Sequence, residues 1–356
     1  MVAMSESHWL RRRWKLVINL VTLGALIILI IAIHKQVGDT LTRITQIHGW
    51  FLLLMIPVEA INYHSQTKLY QRLFSMVGNK LSYKYLYKIS LELNFVNHVF
   101  PSGGVTGLSY FSLRLKDGTK LTASKATLVH FMKLMLTFLS FLLLLIFGLL
   151  SLAVMGKASN LVMLVAGSLS TMVIFGTIGF FYMVESRTRI NNFFTNLTKA
   201  LNKLIHYFRP NYPETINVIK ARHMVDDFHD NYMQIRSRWR ELQGPFGWAL
   251  LANITEVLAV YVVFMAFGDF VNIGAVIIAY AIANFAGLIS VLPGGVGIYE
   301  ALMATTLAAT GVPASVSLPV IVAYRIVNTV IQLPPGYYFY QQNLSRTGQK
   351  SKHESA

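Results

Sequence analysis

A chain of 356 residues, 54% hydrophobic and only 13% charged, with a mean hydropathy of +0.51, is too apolar for a soluble globule, where about a quarter of residues carry charge. A formal net charge of +16 points to cytoplasmic Lys and Arg that set topology and meet anionic inner-leaflet lipid, and away from nucleic acid. The absence of cysteine excludes disulfides, thiolate metal sites and cysteine nucleophiles.

Arg11, Arg12, Arg13 and Lys15 precede the apolar run Leu16 to Ile33. No small-residue cleavage site follows, so the run predicts a retained first span over about 16–34 with a cytoplasmic N-terminus. A second span covers about Gly49 to Gln66 and holds Glu59, and Lys68, Arg72, Lys80, Lys84 and Lys88 mark the return to the cytoplasm. From Tyr85 to Ser112 the chain is again apolar, but Pro101, Gly103, Gly104 and Gly107 break it. Positive residues flank both ends (Arg114, Lys116 and Lys120 on the far side), so this segment predicts a re-entrant hairpin over 85–112.

A long span over about 121–155 carries Lys133, and Leu161 to Val184 crosses back. The segment 185–243 is polar, with ten Lys/Arg and six Asp/Glu. Within it Phe193, Phe194, Leu197, Leu201, Leu204, Ile205 and Phe208 share one face of a helix over 192–208, with Lys199 and Lys203 opposite. That face either lies on the inner leaflet or packs under the bundle. Pro245 to Gly268 is a span carrying Glu256. Between Asp269 and Arg325 there is no Lys or Arg, so 274–310 enters and leaves on the outer side. Its centre is broken at Pro293, Gly294, Gly295 and Gly297, with Glu300 directly after. A final span over about 315–340 carries Arg325 before a basic tail at 342–356.

The expected fold is an all-α polytopic membrane protein with six full transmembrane helices and two re-entrant hairpins, both termini cytoplasmic. Span, hairpin and span recur over 49–155 and 244–341, the second set entered from the opposite side. This is the pattern of an inverted repeat, whose site lies between the broken segments.

Ionisable residues inside a membrane are costly and mark sites or pathways. The candidates for substrate binding and translocation are Glu300, Arg325, Glu256, Lys133 and Glu59, with Asn97 and Asn284 beside the breaks. Paired buried charges that merely hold the bundle together are the structural alternative. Glu92 stands one turn from Lys88 and reads as an i,i+4 pair, and His98 as a satisfied structural residue. Asp226, Asp227 and Asp230 spell D-D-x-x-D, the spacing that holds Mg²⁺ on a diphosphate, but no second acidic cluster accompanies it. The expectation is a solvated acidic turn, no catalytic residue, no metal and no cofactor.

The run Pro293 to Glu300, followed by Gly311-Val312-Pro313 and Tyr324-Arg325, resembles the C-terminal signature of the lysylphosphatidylglycerol synthase transmembrane-domain family, also described as flippase-like. Asn94 or Asn97 followed by Pro101 to Gly107, then Leu115 and Gly118, is similar to its N-terminal signature. The resemblance spans roughly residues 10–342, with two departures: Leu108 where many members carry Glu, and Lys133 where some carry Arg. Larger members add a soluble aminoacyl-transferase domain, which is not expected here, so the resemblance implies the membrane half alone, a non-enzymatic lipid translocator. The cargo would be a phospholipid or polyprenyl-linked lipid with a charged or glycosylated head group, crossing the cell membrane through a midplane cavity between the hairpins. A separate synthase and a homo-oligomer are both compatible with that reading. The alternative is a membrane subunit that binds lipid or a partner enzyme and moves nothing.

Overall fold

The computed structural model describes residues 48–100, 105–119, 121–157, 159–208, 218–289 and 297–353. Among them the chain forms eleven α-helices: α1 Met55–Met76, α2 Tyr83–Val99, α3 Val105–Gly118, α4 Ala123–Val154, α5 Asn160–Val184, α6 Arg187–Phe208, α7 Val218–Ser237, α8 Gln243–Ala266, α9 Ile273–Ile289, α10 Ile298–Ala309 and α11 Ala314–His353. Short 3₁₀ turns precede α1 and α8. The expected first span at 16–34 and the break residues Pro101, Gly103, Gly104, Pro293, Gly294 and Gly295 lie outside the described residues.

Hydroxyl side chains start several helices by accepting from an otherwise orphaned amide. Ser82 accepts from Tyr85, Thr122 from Lys125 and Ser159 from Val162. Among the described residues, four helical stretches are long and apolar enough to cross a bilayer: Ala123–Val154, Asn160–Val184, Trp239–Ala266 and Ala314–Ser345. Helix α5 is exposed nearly all round, with Leu161, Leu164, Met172, Phe175 and Ile178 facing outward. An apolar helix so exposed suits lipid. The segment expected as a span over 49–66 forms a 3₁₀ turn and the first part of α1, which runs on to Met76. Its buried side includes Glu59, Asn62, Ser65 and Thr67, so α1 is a polar-cored interior helix.

Helix α1 packs most extensively on α8, at the centre of the molecule. Helices α2 and α3 run antiparallel: Asn97 lies against Gly107, and Glu92 meets Arg114. Helix α9 packs on α10, and each of these two pairs then leans on a distant helix, α2 on α11 and α9 on α4. Both of the latter contacts rest on glycine. A Cβ on Gly274 of α9 would strike the carbonyl oxygen of Gly148 in α4, and one on Gly336 of α11 would lie 2.7 Å from the Leu91 carbonyl oxygen of α2. Close backbone approach of this kind is how membrane helices gain packing where burial from water contributes little.

The polar segment folds as α6 and α7. The D-D-x-x-D residues sit on helix α7 rather than in the expected turn, and Arg187 of α6 pairs with Asp226 and Asp230. Of the expected apolar face of α6, Phe194 packs into the core, while Phe193, Leu197 and Leu201 are exposed together. The α6 residues Ile190, Asn191 and Thr198 are buried, Asn191 donating to Asp226 across to α7.

Candidate functional site

A cavity of about 210 Å³ opens between α1, α4, α8 and α9. Its polar wall is Asn62 and Gln66 from α1, Lys133 and Thr137 from α4, Asn253 and Glu256 from α8, and Asn284 from α9. Its apolar wall includes Phe138, Phe141 and Phe285, with Phe138 stacked on Phe285 at 5.0 Å and Phe141 edge-on to Phe285. Such a space holds on the order of ten waters or a compact polar group.

The amides of the wall are locked by their own bonds. Asn62 donates to the Ala252 carbonyl at 2.9 Å and to Thr255 at 3.0 Å, and Gln66 donates to Asn62 at 2.6 Å. Asn253 donates to the Thr137 carbonyl and to Ser140. Asn284 donates to the Tyr280 carbonyl one turn back on its own helix, at 3.3 Å. Glu256 accepts from the Tyr280 hydroxyl at 3.0 Å. Lys133 differs. Among the described residues its ammonium makes no hydrogen bond or salt bridge, and its neighbours are the Tyr70 ring at 5.9 Å and the charge of Glu256.

The residues singled out from sequence therefore fall into three groups. Lys133, Glu256 and Asn284 share the cavity. Glu300 and Arg325 form an ion pair elsewhere, Arg325 Nε lying 3.3 Å from Glu300 Oε1 with its guanidinium over the Tyr299 ring at 4.9 Å. Gly297 takes a φ of 89° to turn the chain into α10, and Glu300 Oε2 accepts from the Gly297 amide at 2.6 Å. Glu300 is thus the helix's own capping residue as well as the partner of Arg325. His98, at the end of α2, is within Coulombic reach of Arg325, and its Nδ1 donates to the Asn94 carbonyl.

The third group surrounds Glu59, which is 2% exposed. Gln332 of α11 donates to Glu59 Oε2 at 2.8 Å and to Asn328 at 2.9 Å. Asn94 of α2 donates to Gln332 at 2.6 Å and to the Tyr63 hydroxyl. Asn97 is exposed and lies against Gly107.

One expectation changes. Glu92 pairs with Arg114 across the α2–α3 hairpin at 2.9 Å and accepts from Tyr110 at 2.7 Å, so its main partner is Arg114 and not the expected Lys88. Lys88 sits over the Phe339 ring at 5.2 Å. The acidic triplet of α7 gains no metal-holding company: no group of three or more candidate ligands exists among the described residues. The sequence reading overlooked Asn62, Asn253 and Gln332. The signal available for them was amides at one-turn spacing in apolar surroundings, Asn62 with Gln66 and Asn328 with Gln332.

The profile of the lysylphosphatidylglycerol synthase TM region matches residues 16–336, nearly the whole chain. The chain belongs to that family. It is also similar to three archaeal proteins described as UPF0104 membrane proteins. That of Methanocaldococcus jannaschii is 22% identical over 272 residues, covering 74% of this chain and 76% of its own length. One from Methanothermobacter thermautotrophicus is 37% identical over 97 residues, covering 27% of this chain and 29% of its own length. That of Pyrococcus horikoshii is 23% identical over 135 residues, covering 36% and 40%. The matches to the Methanothermobacter and Pyrococcus proteins thus span less than half of those chains. Family and apolar helices together make this a multi-pass membrane protein.

Proposed function

We propose that the chain is a lipid translocator of the cell membrane, with no catalytic step of its own. It passes a phospholipid or polyprenyl-linked lipid whose head group carries charge or sugar. The observation that carries this reading is the Lys133 ammonium, which makes no hydrogen bond or salt bridge among the described residues and faces a polar cavity inside an apolar bundle. A buried cation without a fixed partner is costly, and an anionic head group would satisfy it. The stacked rings opposite suit the first carbons below such a head group.

An inverted repeat of 49–155 and 244–341 fits the packing. Exchanging α1 with α8, α2 with α9 and α4 with α11 turns the α2–α11 contact into the α9–α4 contact. At about 1.5 Å per residue, helices of the length of α2, α9 and α10 fall short of the roughly 30 Å hydrocarbon layer, as re-entrant arms would. Six crossings with both termini cytoplasmic would put the basic helix α6, and α7 beside it, at the inner leaflet.

The test is reconstitution with fluorescent phospholipids of differing head group and a membrane-impermeant quencher. Wild type accelerates loss of inner-leaflet signal for an anionic head group, and Lys133→Ala reduces that rate at least tenfold while eluting as the same species. Equal rates for Lys133→Ala and wild type would remove the cavity from the path. A second reading, a subunit that docks lipid or a partner enzyme without transport, is favoured by the exposed stripe Phe193, Leu197 and Leu201 on α6. No acceleration for any head group, with function lost on replacing that stripe by Ser, would select it.

A further inference from the structure

Among the described residues, the charges buried between these helices do not balance. Glu300 is matched by Arg325 and Glu92 by Arg114, each in a direct ion pair. What remains is two carboxylates, Glu59 on α1 and Glu256 on α8, and one ammonium, Lys133 on α4. The two carboxylates stand on the two central helices, which pack on each other, and they lie within Coulombic reach. The sequence places them alike, after Leu53-Leu54 and Leu250-Leu251 with the same four-residue gap. Neither forms a salt bridge among the described residues, and Glu59 Oε1 is buried with no hydrogen-bond partner.

A carboxylate oxygen wholly out of water with no donor is an expensive arrangement for an ion, and two like charges in one low-dielectric site cannot both persist beside a single cation. A carboxylic acid there needs no such compensation. We infer that Glu59 and Glu256 form a proton-binding site, holding one proton between them at neutral pH, and that its release and uptake link lipid movement to the proton gradient. This rests on the translocation reading above. The other groups facing the site fit one exchangeable proton. Tyr63 from α1, Tyr280 from α9, Tyr299 from α10 and Tyr324 from α11 are neutral phenols, Arg325 is occupied by Glu300, and His130 is held by Tyr70 beyond Lys133. An anionic head group arriving at Lys133 would take the ammonium from Glu256 and so favour a second proton on the pair, which makes substrate and proton bind together.

Infrared spectra of the reconstituted protein test the site without requiring transport. Wild type at neutral pH shows the C=O stretch of one protonated carboxylic acid per chain. That band is lost in Glu59→Gln, where Glu256 alone faces the ammonium, persists in Glu256→Gln, where Glu59 stays in its donor-poor site, and doubles in Lys133→Met. No such band in wild type, a band that survives in the double Gln variant, or an unchanged Lys133→Met spectrum would each overturn the site. Coupling is read in liposomes holding a fluorescent anionic phospholipid. An imposed pH gradient changes the wild-type rate several-fold and leaves both single Gln variants unresponsive. A rate that ignores the pH gradient, or follows a sodium gradient instead, would overturn the coupling. If no lipid moves under any gradient, the translocation reading fails and the spectra alone decide the proton site.

Discussion

Arg325 Nε lies 3.3 Å from one carboxylate oxygen of Glu300, while the other oxygen accepts from the Gly297 amide at 2.6 Å. Two jobs therefore meet in one side chain. Glu300→Gln keeps an oxygen for the cap and loses the ion pair, whereas Glu300→Ala loses both. The Ala variant should be the less stable of the two by about 1 kcal/mol, the usual worth of a cap. Arg325→Gln strands a buried carboxylate and should cost about 3–5 kcal/mol. The double Gln variant should recover part of that. Thermal unfolding in detergent, followed by tryptophan fluorescence, gives all four values; a double variant worse than the sum of its parts would contradict the pairing.

The Glu92–Arg114 bridge ties α2 to α3 with both side chains largely buried, 2% and 12% exposed. Arg114→Ala should cost about 3–5 kcal/mol, because the carboxylate is left with only the Tyr110 hydroxyl. Lys88→Ala should cost under about 1 kcal/mol, as for an ordinary surface cation. A reversed order in the same unfolding assay would restore the one-turn pair that the sequence suggested.

Helix contacts built on glycine should not admit a methyl group. Gly274→Ala and Gly336→Ala each drive a Cβ into a neighbouring helix's backbone, and overpacking of this kind costs about 1–3 kcal/mol. Gly167 on α5 has no atom within 4 Å of its would-be Cβ. Gly167→Ala should leave stability unchanged or raise it by up to about 1 kcal/mol through helix propensity. Melting temperatures of the three variants check the contrast.

Helix α6 should face lipid with Phe193, Leu197 and Leu201 and protein with Ile190 and Thr198. Nitroxide labels scanned along 189–203 in anionic nanodiscs should find oxygen accessibility peaking at 193, 197 and 201, and a water-soluble relaxant peaking at 199 and 203. Low accessibility to both at 193, 197 and 201 would mean that a protein surface covers the stripe.

Asp226 and Asp230 are engaged by the exposed Arg187, which joins α6 to α7. Mg²⁺ up to millimolar concentrations should not shift the melting temperature, and Asp227→Ala should leave lipid movement at the wild-type rate. Arg187→Ala should cost under about 1 kcal/mol, since the pair is open to solvent. A Mg²⁺-dependent shift abolished by Asp227→Ala would reopen the diphosphate reading.

Composition alone determined that this chain lives in a membrane, because nothing in water would bury so many apolar residues with so few charges. Proline and glycine clusters marked where breaks were to be expected through local backbone chemistry; of these residues Gly297 turns the chain into α10, whereas Gly107 lies within α3. The same locality let Glu59, Lys133, Glu256, Glu300 and Arg325 stand out as expensive to bury. Pairing was beyond reach. Glu92 offered Lys88 within its own helix, yet it chose Arg114 on the next, because antiparallel packing of α2 on α3 sets a shorter distance than one helical turn does. Tertiary packing alone separated the Glu300–Arg325 pair from the cavity of Lys133 and Glu256, and recruited Asn62, Asn253 and Gln332, neutral amides with no charge to betray them. Which charges neutralise one another and which are left over depends on distances between helices far apart in sequence, and only the packed bundle fixes those.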